Sequence, residues 1–210
     1  MAKYLFKWAY INHYLLTIDT TTMKNMKRMM AIAVAALAIF VTTTVKAQTT
    51  PPSAWRLGIG VEGGLPTGNA HDISNFELGG TARLQYGASK NVALMLTSGY
   101  YNFFGKSIPD LGDLKYKSLG MIPVKAGVKA FFAPNVYVSG EVGAGFEMSA
   151  FGDYSGDQTP GLEKDTKLIL SPGVGYATKS WDVGVRYENY SGQGNNYGLV
   201  GLRIAYGFGL

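Results

Sequence analysis

The sequence predicts an all-β fold, an eight-stranded antiparallel up-and-down barrel, on three observations. From Trp55 onward, apolar residues recur at every second position in eight separate segments. Longer polar stretches alternate with short turns between those segments. No residue on the apolar rows is charged, whereas the opposite rows hold twelve ionisable side chains. Strict period two over so many segments argues half-exposed strands rather than helices. An even strand number with alternating long and short connections fits a barrel whose terminal strand ends both lie on the short-turn side.

Taken in order, segment 54–64 carries Trp55, Leu57, Ile59 and Val61 on its apolar row, and 76–86 carries Phe76, Leu78, Gly80, Ala82, Leu84 and Tyr86. Segment 91–102 presents Val92, Leu94, Leu96, Ser98 and Tyr100, and 116–132 presents Ile122, Val124, Ala126, Val128, Ala130 and Phe132. The fifth, 136–147, alternates through Val136, Val138, Val142 and Phe146; the sixth, 167–177, through Leu168, Leu170, Pro172, Val174 and Tyr176. The seventh, 181–190, gives Trp181, Val183, Val185 and Tyr187, and the last, 197–210, gives Leu202, Ile204, Tyr206, Phe208 and Leu210. Polar loops are expected at 65–75, 103–115 and 148–166, and short turns at 87–90, 133–135 and 178–180, with SGQGNN before the last strand.

The opposite rows hold Arg56, Glu62, Glu77, Arg83, Lys125, Lys129, Glu141, Glu147, Asp182, Arg186, Glu188 and Arg203, interleaved with glycines. Period two alone does not say which row faces inward, because a soluble ligand-binding barrel alternates in the same way with its apolar row inside. Three features place the charges inside. Aromatics close both ends of the apolar rows: Trp55, Tyr86, Phe132, Tyr176, Trp181 and Phe208 toward the short turns, Phe76, Tyr100, Phe146 and Tyr187 toward the long loops. Two such belts are what membrane interfaces select. Glycine concentrates on the charged rows, where an eight-stranded barrel has room only for packed side chains. The twelve charges divide equally by sign, as an enclosed network needs, since an unpartnered buried ion is costly. The barrel is therefore expected to be transmembrane, with lipid against the uncharged wall. Arg203 or Arg186 is expected to pair with Glu62, Glu141 or Glu188.

The first 47 residues differ from the rest: all 28 glycines of the chain lie beyond them. Lys24, Lys27 and Arg28 precede an apolar run from Met29 to Val41, and Val45-Lys46-Ala47 ends in a small residue. That layout is a secretory signal peptide at 23–47, its apolar run too short for a bilayer core about 30 Å thick. Gln48 is expected to begin the mature barrel domain, 48–210, and residues 1–22 read as a start assigned too far upstream. The leader holds the whole formal excess of +5. The basic balance therefore implies no nucleic-acid partner, and zero cysteines exclude disulfides and thiolate metal sites.

On these residues the chain resembles the small eight-stranded outer-membrane barrels of Gram-negative bacteria, the OmpA/OmpX-like group. The resemblance covers Trp55 to Leu210 and is carried by IPVKAGVKAFF (122–132), VYVSGEVGAGF (136–146) and the terminal Arg203-Ile204-Ala205-Tyr206-Gly207-Phe208-Gly209-Leu210. The last looks like the family's insertion signal, with Arg203, Ala205, Tyr206, Phe208 and Leu210 at the signal positions. Ala205 stands where glycine is usual and Leu210 where an aromatic is usual. The resemblance implies the outer membrane as location, and the lipid bilayer and the outer-membrane assembly machinery as partners.

Two functions are expected: a structural or surface-interaction barrel with a closed, charge-paired lumen, or a conduit or binding barrel for a small molecule, with Pro172 as the place where pairing opens. No enzyme and no cofactor are expected. His71, Asp72 and Ser74 contain the groups of a hydrolytic relay, but neighbours in one loop rarely assemble that geometry. Asp153, Asp157, Glu163 and Asp165 lack the order of a calcium loop. GVEGG (60–64) and GVGYAT (173–178) open no helix, as a nucleotide fingerprint must.

Overall fold

The computed structural model describes residues 51–107, 116–148, 165–192 and 196–210. The expected leader, with its cleavage site, and loop residues Asp153, Asp157 and Glu163 lie outside them. Eight strands form the fold: β1 Trp55–Gly68, β2 Ser74–Gly87, β3 Val92–Gly105, β4 Leu119–Ala133, β5 Val136–Glu147, β6 Thr166–Ala177, β7 Trp181–Ser191 and β8 Tyr197–Gly209. Each pairs antiparallel with its neighbours in sequence, and β1 pairs with β8 from Arg56↔Gly209 to Gly68↔Tyr197, closing the barrel. Closure leaves no open sheet edge.

The side-chain alternation follows the expected phase throughout. Trp55, Ile59, Val61, Leu78, Leu94, Val142, Val174, Val183 and Ile204 are exposed on the outer wall, and all twelve charged residues of the opposite rows are buried inside. The charged rows are therefore enclosed and the uncharged rows form the wall, the reverse of a soluble carrier. Ala130 departs in one respect. It keeps its place on the outer row but is covered, standing between Val92 and Val138 in the ladder.

Strand ends differ from expectation at the long-loop end. The stretch 65–75 is no simple polar loop: β1 continues to Gly68, and a one-turn helix α1, Asn69–Ile73, follows before Ser74 opens β2. The Leu65-Pro66 pair reads as a turn in sequence, yet here β1 has a partner on one side only. Its pairing with β2 stops at Gly64↔Glu77, while its pairing with β8 runs on through Pro66↔Leu199. A proline is tolerated where one edge needs no N–H donor. Strand β3 likewise continues past 102 to Gly105, and β4 starts at Leu119 rather than 116.

Two further prolines interrupt the wall. Pro123 pairs with Gly145 of β5, but the β3–β4 ladder skips from Ser98↔Val124 to Tyr101↔Met121. Pro172 pairs with Gly140, and the β6–β7 ladder skips from Leu170↔Asn189 to Gly173↔Arg186. Register is the same on both sides of each gap, so the missing donor breaks the ladder without shifting it. The β4–β5 turn is only Pro134-Asn135, with Asn135 at φ 65°, a left-handed conformation that asparagine adopts more readily than most residues.

Candidate functional site

Strand alternation delivers the enclosed charges in ladders. Arg186 and Glu188 are two apart on β7, and Lys125 and Lys129 four apart on β4, so each pair lies on one face. Around them the middle of the lumen is a continuous network of ion pairs and hydrogen bonds. Glu188 pairs with Lys125 and with Arg186, whose Nε lies 2.8 Å from Glu188 Oε1. It also accepts hydrogen bonds from Tyr190 Oη and, at 3.3 Å, from Ser171 Oγ. Glu62 pairs with Arg186 and, at 3.1 Å, with Arg203 Nε. Thr81 Oγ1 and Tyr101 Oη donate to it at 2.6 and 2.9 Å.

A second group hangs from β2 and β5. Arg83 Nη2 lies 2.8 Å from Glu141 Oε2, and Thr97 Oγ1 donates to Glu141 at 2.6 Å while accepting from Arg83 Nε at 2.9 Å. Lys129 pairs with Asp182, donates to Gln85 at 3.0 Å and sits 4.0 Å from the ring centre of Tyr137. Tyr137 Oη donates to Asp182 at 2.7 Å. The hydroxyls of Tyr101, Tyr137 and Tyr190, with Thr81 and Thr97, thus supply the hydrogen bonds a buried carboxylate needs beyond its cation.

Nine of the twelve expected network residues are joined by these ion pairs; Arg56, Glu77 and Glu147 are not. Glu147, at the long-loop end, accepts from Tyr197 Oη at 3.1 Å. Glu77 is fully buried, and neither carboxylate oxygen has a hydrogen-bond partner. Arg56, at the short-turn end, is only 4 % exposed, and none of its three guanidinium nitrogens has one among the described residues. Of the possible partners for Arg203 and Arg186, Glu62 is shared by both, Glu188 belongs to Arg186, and Glu141 goes to Arg83.

The inner rows are not charged along their whole length. Toward the long loops they become apolar: Tyr101, Phe103, Leu119, Met121, Ile169, Tyr190, Tyr197 and Leu199 form one buried cluster, and Ala70 of α1 joins it. Phe103 meets the rings of Tyr190 and Tyr197 edge-on, each at 6.0 Å. This end of the lumen is plugged by side chains. A smaller cluster of Phe131, Tyr137 and Ala177 lies toward the short turns.

Sequence reasoning missed this plug. It also missed Lys167, which is buried and pairs with Asp165 at 2.6 Å. The signal was present, since Phe103, Ile169, Leu199, Lys167 and the inward tyrosines all share the phase of the charged rows.

On the outer wall the expected belt residues Trp55, Phe76, Tyr100, Phe132, Phe146, Tyr176, Trp181 and Tyr187 are exposed, and Tyr86 is half-buried. Trp55 packs on Tyr86 at 4.8 Å, and Phe76 stacks on Phe104 at 4.6 Å. Trp181, Tyr206 and Phe208 form a row with ring centres 5.3 and 4.9 Å apart. Of the terminal residues singled out, Ala205 faces inward with Arg203, while Tyr206, Phe208 and Leu210 face outward.

The imagined relay does not come together. Ser74 is buried and donates to the Phe104 carbonyl at 3.0 Å, whereas His71 and Asp72 are exposed on α1. No group of metal-ligating side chains occurs among the described residues.

No family model and no curated protein sequence matches the chain. Solved structures do. The attachment invasion locus protein Ail of Yersinia pestis is 15% identical over 75% of this chain and 99% of its own, with a TM-score of 0.53. The same protein in a phospholipid bilayer nanodisc is 17% identical over 74% and 99%, at 0.52. The N-terminal β-barrel domain of Pseudomonas aeruginosa OprF is 13% identical over 73% and 97%, at 0.50. The chain thus has the closed, eight-stranded, all-antiparallel up-and-down architecture of the small outer-membrane barrels.

Proposed function

We propose that the chain is an integral outer-membrane barrel that acts through its surface, with its lumen closed. The outer wall supports the membrane assignment: it exposes an uninterrupted apolar band bounded by aromatics, far larger than a soluble monomer keeps in water. By analogy with outer-membrane barrels the short turns lie on the periplasmic side and the long connections outside. The single observation that carries the closed lumen is the cross-barrel layer in which Lys125, Lys129 and Glu188 are wholly buried. Above it stands the Phe103–Tyr197 plug.

The full chain, refolded into a planar bilayer, is expected to give no stable conductance steps. Regular single-channel steps would overturn the closed lumen. Migration in detergent gels that changes on boiling, together with incorporation into lipid vesicles, tests the membrane assignment separately.

A second reading, a conduit with a lateral opening, draws on the gap in the β6–β7 ladder at Pro172. Behind that gap Ser171 is hydrogen-bonded to the fully buried Glu188, which favours a closed wall.

A further inference from the structure

We infer that the short-turn mouth of the barrel binds a phosphate group, with the Arg56 guanidinium as its buried ligand and Lys179 and Ser180 at its rim. The inference rests on the outer-membrane reading only for the source of that phosphate. It begins with an imbalance. In the middle of the lumen each cation lies against a carboxylate, but Arg56 is buried with none of its guanidinium nitrogens hydrogen-bonded among the described residues, and the Asp182 carboxylate across the cavity from it is paired with Lys129. A buried cation with no ion-pair partner of its own is strongly unfavourable, so a fold that encloses one has a use for an anion there.

The position is built for a guanidinium. Arg56 lies over Gly207, and a side chain at 207 would collide with it. On its inner side is an enclosed cavity of about 10 Å³ that it shares with Arg83, Arg203 and Asp182. That space suits one water and is too small for an oxyanion. On its other side Arg56 lines an open cleft of about 520 Å³, between the start of β1, the end of β8 and the β6–β7 turn. Among the described residues the exposed Lys179 makes no ion pair; it and Ser180 line the same cleft, and no acidic side chain does. A planar guanidinium grips phosphate through two parallel N–H bonds, and a lysine adds a point charge.

The remaining wall identifies the ligand further. Trp55, Tyr206, Phe208 and Leu210 line the cleft and also belong to the outer apolar row. Cationic groups thus adjoin a surface suited to hydrocarbon, as the phosphate and chains of a phospholipid in the periplasmic leaflet require. Inorganic phosphate shares the headgroup chemistry without the chains.

The test uses the full chain carrying Trp8→Phe and Trp181→Phe in non-ionic detergent, its barrel checked by heat-modifiable migration, with emission of the remaining Trp55 as readout. Three probes are titrated: dihexanoyl phosphatidic acid, inorganic phosphate and uncharged dihexanoylglycerol. The phospholipid is expected to bind, with Arg56→Gln weakening it by about tenfold, the loss of one charge-assisted contact. Lys179→Gln, which changes an exposed side chain, should weaken it by roughly threefold. Equal binding of inorganic phosphate would support the site and make free phosphate its ligand. Binding by the phospholipid alone would make it a headgroup site. Unchanged affinity in both variants, equal affinity for dihexanoylglycerol, or no binding at all would overturn the inference. None of those results would alter heat-modifiable migration or vesicle incorporation, so the membrane reading stands or falls separately.

Discussion

Replacing Glu62 with glutamine is the most informative perturbation of the lumen. The change keeps the shape and one carbonyl acceptor for Thr81 or Tyr101, but it removes the charge that faces both Arg186 and Arg203. Arg186 retains Glu188 at 2.8 Å. Among the described residues Arg203 has no other carboxylate in ion-pair range and keeps Thr81, at 3.0 Å. Breaking a buried pair by removing one partner costs about 3–5 kcal/mol. With one arginine still paired and the amide preserving part of the hydrogen bonding, about 3 kcal/mol is expected for Glu62→Gln. Val61→Ala is the control: the adjacent residue is 67 % exposed on the outer wall, and its loss should cost less than about 1 kcal/mol. The assay is reversible urea unfolding of the vesicle-inserted protein, followed by tryptophan emission. A double variant, Glu62→Gln with Arg203→Gln, should be less destabilised than the sum of the singles, because the second change removes the cation that the first strands. Equal midpoints for Glu62→Gln, Val61→Ala and parent would refute the reasoning, as would strict additivity in the double variant.

Other expectations are simpler to check. Val183→Arg puts a cation on the outer wall and should cost about 2–4 kcal/mol if the site is near the bilayer midplane, read as lost folding into vesicles while the protein stays dispersed in detergent. Gly143→Ala should impair folding, because its new Cβ would collide with the Val124 carbonyl oxygen and the Lys125 backbone. Gly140→Ala on the same strand meets nothing and should leave the unfolding midpoint unchanged. Phe103→Ala, in the apolar plug, should cost about 3–5 kcal/mol, and a planar bilayer would reveal whether it also admits ions.

The strands were legible because period two is a local signal that survives without partners. What the sequence could not display is depth along the barrel axis. Arg56, Glu62, Phe103 and Leu199 share one phase, yet they lie in three layers: an unpaired mouth, a paired middle and an apolar plug. Only closure and pairing register assign those heights. Ion-pair identity was hidden for a related reason. Arg83 and Glu141 are 58 residues apart and Arg186 and Glu62 are 124 apart. Both pairs cross the lumen between strands that never touch through their backbones. The strand expected at 54–64 runs on to Gly68 through what the sequence presents as a polar loop at 65–75, because pairing with β8 alone accommodates Pro66.

The cross-lumen pairing also constrains the route to the folded state. A sheet with β1 not yet zipped to β8 holds Glu62 on one rim and Arg203 on the other, and its ionised face has nowhere dry to go. Such an intermediate cannot enter hydrocarbon a hairpin at a time without stranding carboxylates and guanidiniums in oil. Sealing of the seam and neutralisation of the interior are therefore one cooperative event, and a late one. On the proposed membrane reading, the ionised face has to stay hydrated or covered until that final zip.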